Sequence, residues 1–81
     1  MTRSDILDLM NMVLAKRGRP AITGEAQTVR DANFRSLDFS EVALRIETAL
    51  GQELAFDAAS MRRIETVKDV LDFFGEATKA A

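Results

Sequence analysis

Apolar residues recur along this chain at helical spacing, in four stretches set apart by turn-forming residues. In the first stretch Ile6, Leu7, Leu9, Met10, Val13 and Leu14 fill one broad face. That spacing predicts a helix over 4–17. Thr2 or Ser4 is placed to cap it, Asp5 and Asp8 suit the positive end of its dipole, and Lys16-Arg17 suit the negative end. Gly18-Arg19-Pro20 stops it. A second helix is predicted over 37–50. At about 100° per residue, Phe39, Val42, Ala43, Ile46, Ala49 and Leu50 fall within an arc of roughly 120°, the width of an ordinary buried stripe. Leu50-Gly51 closes it as a C-cap pair.

The other two helices are shorter or weaker in pattern. Ala58 to Ile64 predicts a short third helix, with Asp57 as its cap and Leu54-Ala55-Phe56 as an apolar connector inserted into the core. Thr66-Val67-Lys68-Asp69 is a capping pattern with an acid at its fourth position, and it opens a helix over 67–77. Val67, Val70, Leu71, Phe74 and Ala77 make its core stripe, with Phe73 at the edge. Fraying is expected after Gly75, with Thr78-Lys79-Ala80-Ala81 as a loose tail. Between Gly18 and Arg35 there is no long periodicity. Ile22, Val29 and Phe34 are spaced like anchors pinning a loop to a bundle, and a turn within 25–31 is ranked low. The expectation is an all-α fold, a small four-helix bundle with a long loop between helices 1 and 2, forming one domain over 1–81.

Composition narrows the function classes. An apolar content of 47% suits a globular domain and is too high for a disordered tail. No apolar run approaches the roughly 20 residues of a membrane span, and Asp5 and Asp8 break any signal-peptide pattern. A cytoplasmic monomer is expected. There is no histidine and no cysteine, so neither a Ser-His triad nor a thiol nucleophile can be built, and zinc loses its usual ligands. The chain is expected not to be an enzyme. Net charge is −2, unevenly spread. From Ser36 to Ser60 five acids (Asp38, Glu41, Glu47, Glu53, Asp57) stand against Arg45 alone, so that segment carries −4 and the remainder +2. That asymmetry favours a basic partner surface at the second helix. The basic residues are scattered along the chain, which disfavours nucleic acid.

The second helix has a feature that a core-facing helix does not need. Leu37 and Leu44, seven apart, are nearly superimposed on the side away from the apolar stripe. Glu41 and Thr48 lie beside them, Ser40 and Glu47 on one flank, Asp38 and Arg45 on the other. Two exposed leucines are unremarkable by themselves; together with the acids they form a surface suited to a partner. Ser36 stands at its amino end. A serine there is an ordinary N-cap, and Asp38-Phe39-Ser40-Glu41 offers a rival capping box. The same position also suits a phosphate, which would meet free N–H groups and the positive dipole end.

The runs Ser36-Leu37-Asp38, Glu41-Val42, Glu47, Leu50-Gly51-Gln52-Glu53-Leu54 and Ile64-Glu65-Thr66-Val67-Lys68-Asp69-Val70 together resemble the acyl carrier protein family, over nearly the whole chain. The resemblance implies a four-helix bundle in which Ser36 receives a covalent 4′-phosphopantetheine arm from a phosphopantetheinyl transferase. The transferase brings coenzyme A and a divalent metal. The arm would hold acyl or aminoacyl groups as thioesters for acyl-activating, condensing or acyl-transfer enzymes of a specialised lipid or polyketide pathway. Arg35, Leu37, Asp38, Glu41, Leu44 and Glu47 would face those partners, and Phe39, Ala43 and Ala49 would shape a chain-binding cavity. One departure stands out. Arg35 takes the place of the family's usual aspartate, reversing the charge beside the acceptor hydroxyl, and Asn33-Phe34 replaces its common Leu-Gly. The alternative is an unmodified helical interaction module in which Ser36 only caps.

Overall fold

The computed structural model of the chain describes residues 1–54 and 58–79. Those residues form four helices, α1 (Arg3–Lys16), α2 (Ser36–Leu50), α3 (Ala58–Arg62) and α4 (Val67–Lys79). Among the described residues the sole β-type pairing is an isolated antiparallel bridge between Thr28 and Thr66. The fold is all-α, a small helical bundle in which α1 packs against both α2 and α4.

Each helix start is set by local chemistry. Thr2, rather than Ser4, caps α1: its hydroxyl accepts from the Asp5 N–H at 3.1 Å, while the Asp5 carboxylate accepts from the Thr2 N–H at 2.9 Å. Thr66 and Asp69 repeat the arrangement at α4, with Asp69 Oδ2 also accepting from the Glu65 N–H. At the other end of α1 the Arg19 N–H reaches back to the Leu14 carbonyl at 2.9 Å, and Gly18 takes φ +73°. Glycine reaches that left-handed region without the cost a side chain would impose.

The core follows the predicted stripes closely. Ile6, Met10, Val13 and Leu14 of α1 meet Phe39, Val42, Ala43 and Ile46 of α2 and Val67, Val70, Leu71 and Phe74 of α4. Phe39 stacks on Phe74 with ring centroids 4.7 Å apart, and Phe73 approaches Phe39 from the side at 5.3 Å. Ala49 departs from its expected place in the stripe and is exposed, lining a groove with Leu9 and Leu44. Leu54 is buried as expected. The readings for Ala55 and Phe56 in the connector, for the Asp57 cap and for Ala80-Ala81 lie outside the described residues.

Two elements differ from expectation. The third helix stops at Arg62, two residues early, and closes through tighter turns from the Arg63 and Ile64 N–H groups to Ser60 and Met61. The fourth runs through Gly75 to Lys79, because Ala77 still packs on the core and the Thr78 hydroxyl donates to the Phe74 carbonyl at 2.8 Å.

The loop from Gly18 to Arg35 is more ordered than its sequence suggests. Ile22 and Val29 rest against the core and Phe34 is buried in it, as the anchor spacing predicts. Turns form within 25–33 although the sequence carries no strong signal for them. The Ala32 N–H donates to the Thr28 carbonyl, and the Asp31 N–H to the Thr28 hydroxyl. The main chain also locks onto the start of α4, through Val29 to Glu65, Val67 to Gln27 and Lys68 to Glu25, at 2.9–3.0 Å. This bonding uses backbone groups, which leave no mark on side-chain periodicity. It fixes the track that delivers the chain to Ser36.

Candidate functional site

Ser36 is the first residue of α2, and it is exposed. It does not cap the helix. Arg35 occupies the cap position, with extended backbone, and an arginine side chain has no acceptor to offer. The orphan donor is met from the other direction, as the Arg35 N–H donates to Asp38 Oδ2 at 2.8 Å. The Ser36 hydroxyl makes no hydrogen bond among the described residues. No side chain takes the capping role that the sequence offered to Ser36, and the hydroxyl at the positive end of α2 is left exposed.

Asp38 carries the main correction. Its helical angle puts it on the flank of the exposed surface, yet the side chain is only 1% exposed. Arg19 Nη1 donates to Oδ2 at 2.7 Å, and Arg17 Nε lies 2.7 Å from Oδ1, an ion-pair contact without hydrogen-bond alignment. The end of α1 and the chain after it close over this carboxylate. A buried carboxylate is tolerated only when paired in this way. As placed, Asp38 holds two arginines.

Glu41 is also less available than expected. Its carboxylate accepts from Arg45 at 3.0 Å, Arg17 at 3.1 Å and Lys16 at 3.3 Å. Arg45 foremost, then Lys16 and Arg17, holds the Glu41 carboxyl below the ordinary glutamate range. Glu47 turns Oε2 inward to accept from the Leu54 N–H at 2.8 Å, tying down the chain that leaves α2. Leu37 and Leu44 stand where their angles put them, 72% and 63% exposed.

Sequence reasoning treated Lys16, Arg17 and Arg19 as helix-closing residues. In the fold they gather over α2. The signal was present in principle, because a base-rich end of α1 must lie beside the start of the next helix if the two run antiparallel. A further feature adjoins Ser36: a cavity of about 150 Å³ lined by Val29, Phe34, Arg35, Ser36, Phe39, Met61, Ile64 and Val70. An apolar cavity of about that size can hold a benzene ring. Phe39 lines it as expected. Ala43 and Ala49 do not.

No family model matches the chain. A curated acyl carrier protein from Coprothermobacter proteolyticus is 43% identical over 51 residues, a stretch that covers 63% of this chain and 60% of that relative. The matched stretch thus spans about three fifths of the relative's length. The crystal structure of an acyl carrier protein from Thermotoga maritima superposes on 99% of this chain and 94% of its own, with a TM-score of 0.73 at 18% identity. At that identity the structural match speaks for the fold. Both are acyl carrier proteins: the curated relative resembles this chain in sequence over that stretch, and the solved structure shares its fold.

Proposed function

We propose that this chain is a non-catalytic acyl carrier whose Ser36 hydroxyl is the attachment point for 4′-phosphopantetheine. The observation that carries this reading is the state of that hydroxyl: exposed, at the first position of α2, and without an intramolecular hydrogen bond among the described residues. A serine kept for structure would be expected to cap, and Ser36, one position inside the helix, does not. The residues around Ser36 suit the group. A phosphodiester here meets the free N–H groups of the α2 start and the positive end of its dipole. The Arg35 side chain, next in sequence, adds a positive charge. The apolar cavity beside Ser36 offers shelter to the first part of an attached chain.

When bound, the arm supplies a terminal thiol that holds acyl or aminoacyl groups as thioesters. The chain's own residues position and present. Phe34, buried at 5% exposure, and the Arg19 bond to the Asn33 carbonyl fix where Ser36 emerges. Leu37 and Leu44 offer apolar contact to successive enzymes, among them a phosphopantetheinyl transferase and acyl-activating, condensing or acyl-transfer enzymes. Arg35, where the family usually has an acid, points to a specialised lipid or polyketide pathway rather than bulk fatty acid synthesis. No described helix is long and apolar enough to cross a membrane, and we place the carrier in the cytoplasm.

The test is intact-mass measurement after incubation with coenzyme A, magnesium and a broad-specificity phosphopantetheinyl transferase. One added phosphopantetheinyl group, absent in Ser36→Ala, is the expected result. A folded protein that gains no mass with several transferases would leave the unmodified interaction module as the better reading.

A further inference from the structure

We infer that Arg30 and Arg35 form an anion site beside Ser36 that takes a phosphate ester. Its natural ligand rests on the carrier reading: there the ester is the phosphodiester at the root of the arm. The arm then leaves Ser36 over the loop side of the helix start, and Leu37 and Leu44 stay uncovered.

The backbone brings the two arginines together. The Phe34 N–H donates to the Val29 carbonyl at 2.9 Å, and the Asn33 N–H to the Arg30 carbonyl at 3.1 Å. The turn so closed sets Arg30 and Arg35 on one shallow pocket of about 260 Å³, which Val29, Asn33 and Phe34 also line. Arg35 lines the cavity that includes Ser36 as well. One residue is thus common to the basic pocket and to the surroundings of the acceptor hydroxyl.

Both guanidinium groups are unspent. Arg3, Arg17, Arg19 and Arg45 each hold a carboxylate. Arg30 and Arg35 are exposed and pair with none among the described residues. The neighbouring acids do not fill the gap. Asp31 and Glu65 are exposed and line neither cavity, and Asp38 is buried and already holds Arg17 and Arg19. Two like charges on one pocket repel each other, and an anion between them removes that cost.

Chemistry and position select the ligand. The planar guanidinium fork matches phosphate oxygens with two parallel hydrogen bonds. An exposed ion pair by itself is weak, so free phosphate binds here only loosely. An ester on Ser36 is delivered by its own covalent bond, at a high effective concentration, and needs no further affinity. The family's usual aspartate before the serine would repel the same group. Arginine at that position retains it.

The experiment uses the full chain in two states. The unmodified protein is titrated with inorganic phosphate at constant ionic strength, and the arginine Nε–H resonances are followed. Arg30 and Arg35 should shift together, with a midpoint at least about threefold lower than that of Arg62 and Arg63, exposed arginines outside the pocket. Arg30→Gln should weaken the Arg35 response, and Arg35→Gln the Arg30 response. Equal responses at all four arginines, or none at Arg30 and Arg35, overturn the site. In the phosphopantetheinylated protein the phosphorus resonance of the diester should move on Arg30→Gln and on Arg35→Gln and stay put on Arg63→Gln. Added phosphate should no longer shift Arg30 and Arg35, because the arm fills the site. An undiminished response there would overturn the arm as the ligand. If no transferase adds the group, the carrier reading fails by mass, and the titration of the unmodified chain still decides the anion site.

Discussion

Arg19 Nη1 lies 2.7 Å from Asp38 Oδ2 and 2.6 Å from the Asn33 carbonyl oxygen, so one guanidinium clamps the end of the long loop to the first turn of α2. The same Asp38 oxygen accepts from the Arg35 N–H. The two residues on either side of Ser36 and Leu37 are thereby held from beneath. That is how a hydroxyl comes to be fixed in position and still free.

Removing the carboxylate should be costly. Asp38→Ala leaves two arginines and the Arg35 N–H without their shared acceptor. Breaking one partner of a buried ion pair typically costs about 3–5 kcal/mol. Arg17 and Arg19 keep part of their water here, so about 2–4 kcal/mol is expected in urea unfolding. A loss below about 1 kcal/mol would show that Asp38 is not the clamp.

Asn33 has φ +58°, the left-handed region that asparagine tolerates better than most residues. Asn33→Gly should be close to neutral. Asn33→Val should destabilise by about 1–2 kcal/mol, because a β-branched residue resists that backbone. Equal stabilities for the two variants would contradict the turn that aims Ser36.

Leu44→Ala should leave stability within about 0.5 kcal/mol, as for other surface changes, while slowing transfer of phosphopantetheine to Ser36. The check is to measure urea midpoint and transferase kcat/KM on the same preparation. A large loss of stability would mean that Leu44 belongs to the core.

Acid sensitivity has a defined sign. Arg45, Lys16 and Arg17 hold Glu41 below its ordinary value, the Glu65 and Thr66 N–H groups do so for Asp69, and Lys68 and Arg3 do so for Asp72. A carboxyl with a depressed folded-state pKa contributes stability above its unfolded pKa, and that contribution is lost as pH falls through the folded value. Lys68 and Arg3 are raised, so their contribution is lost only on the far alkaline side. With no histidine in the chain, the melting temperature should be nearly flat from about pH 7 to 5 and should fall below about pH 4. A marked drop between pH 7 and 5, followed by thermal scans at fixed ionic strength, would contradict these pairings.

Periodicity made the three long helices legible, since each buries one stripe and, Ala49 apart, the stripes hold. Ser36, Leu37 and Leu44 could be placed by angle alone, because their exposure depends only on α2's orientation. Asp38 could not. Its burial depends on Arg17 and Arg19 arriving from another part of the chain, and nothing within α2 records that. Glu41 and Glu47 misled for the same reason. The loop's bonds to the start of α4 run between backbone groups, which every residue but proline supplies alike.

The most direct measurement is fragment-ion mass spectrometry of the chain after treatment with a phosphopantetheinyl transferase and coenzyme A. The added group should map to Ser36, with Ser4, Ser40 and Ser60 unmodified. A group found on any other serine, or none on a protein shown to be folded, would contradict Ser36 as the tether.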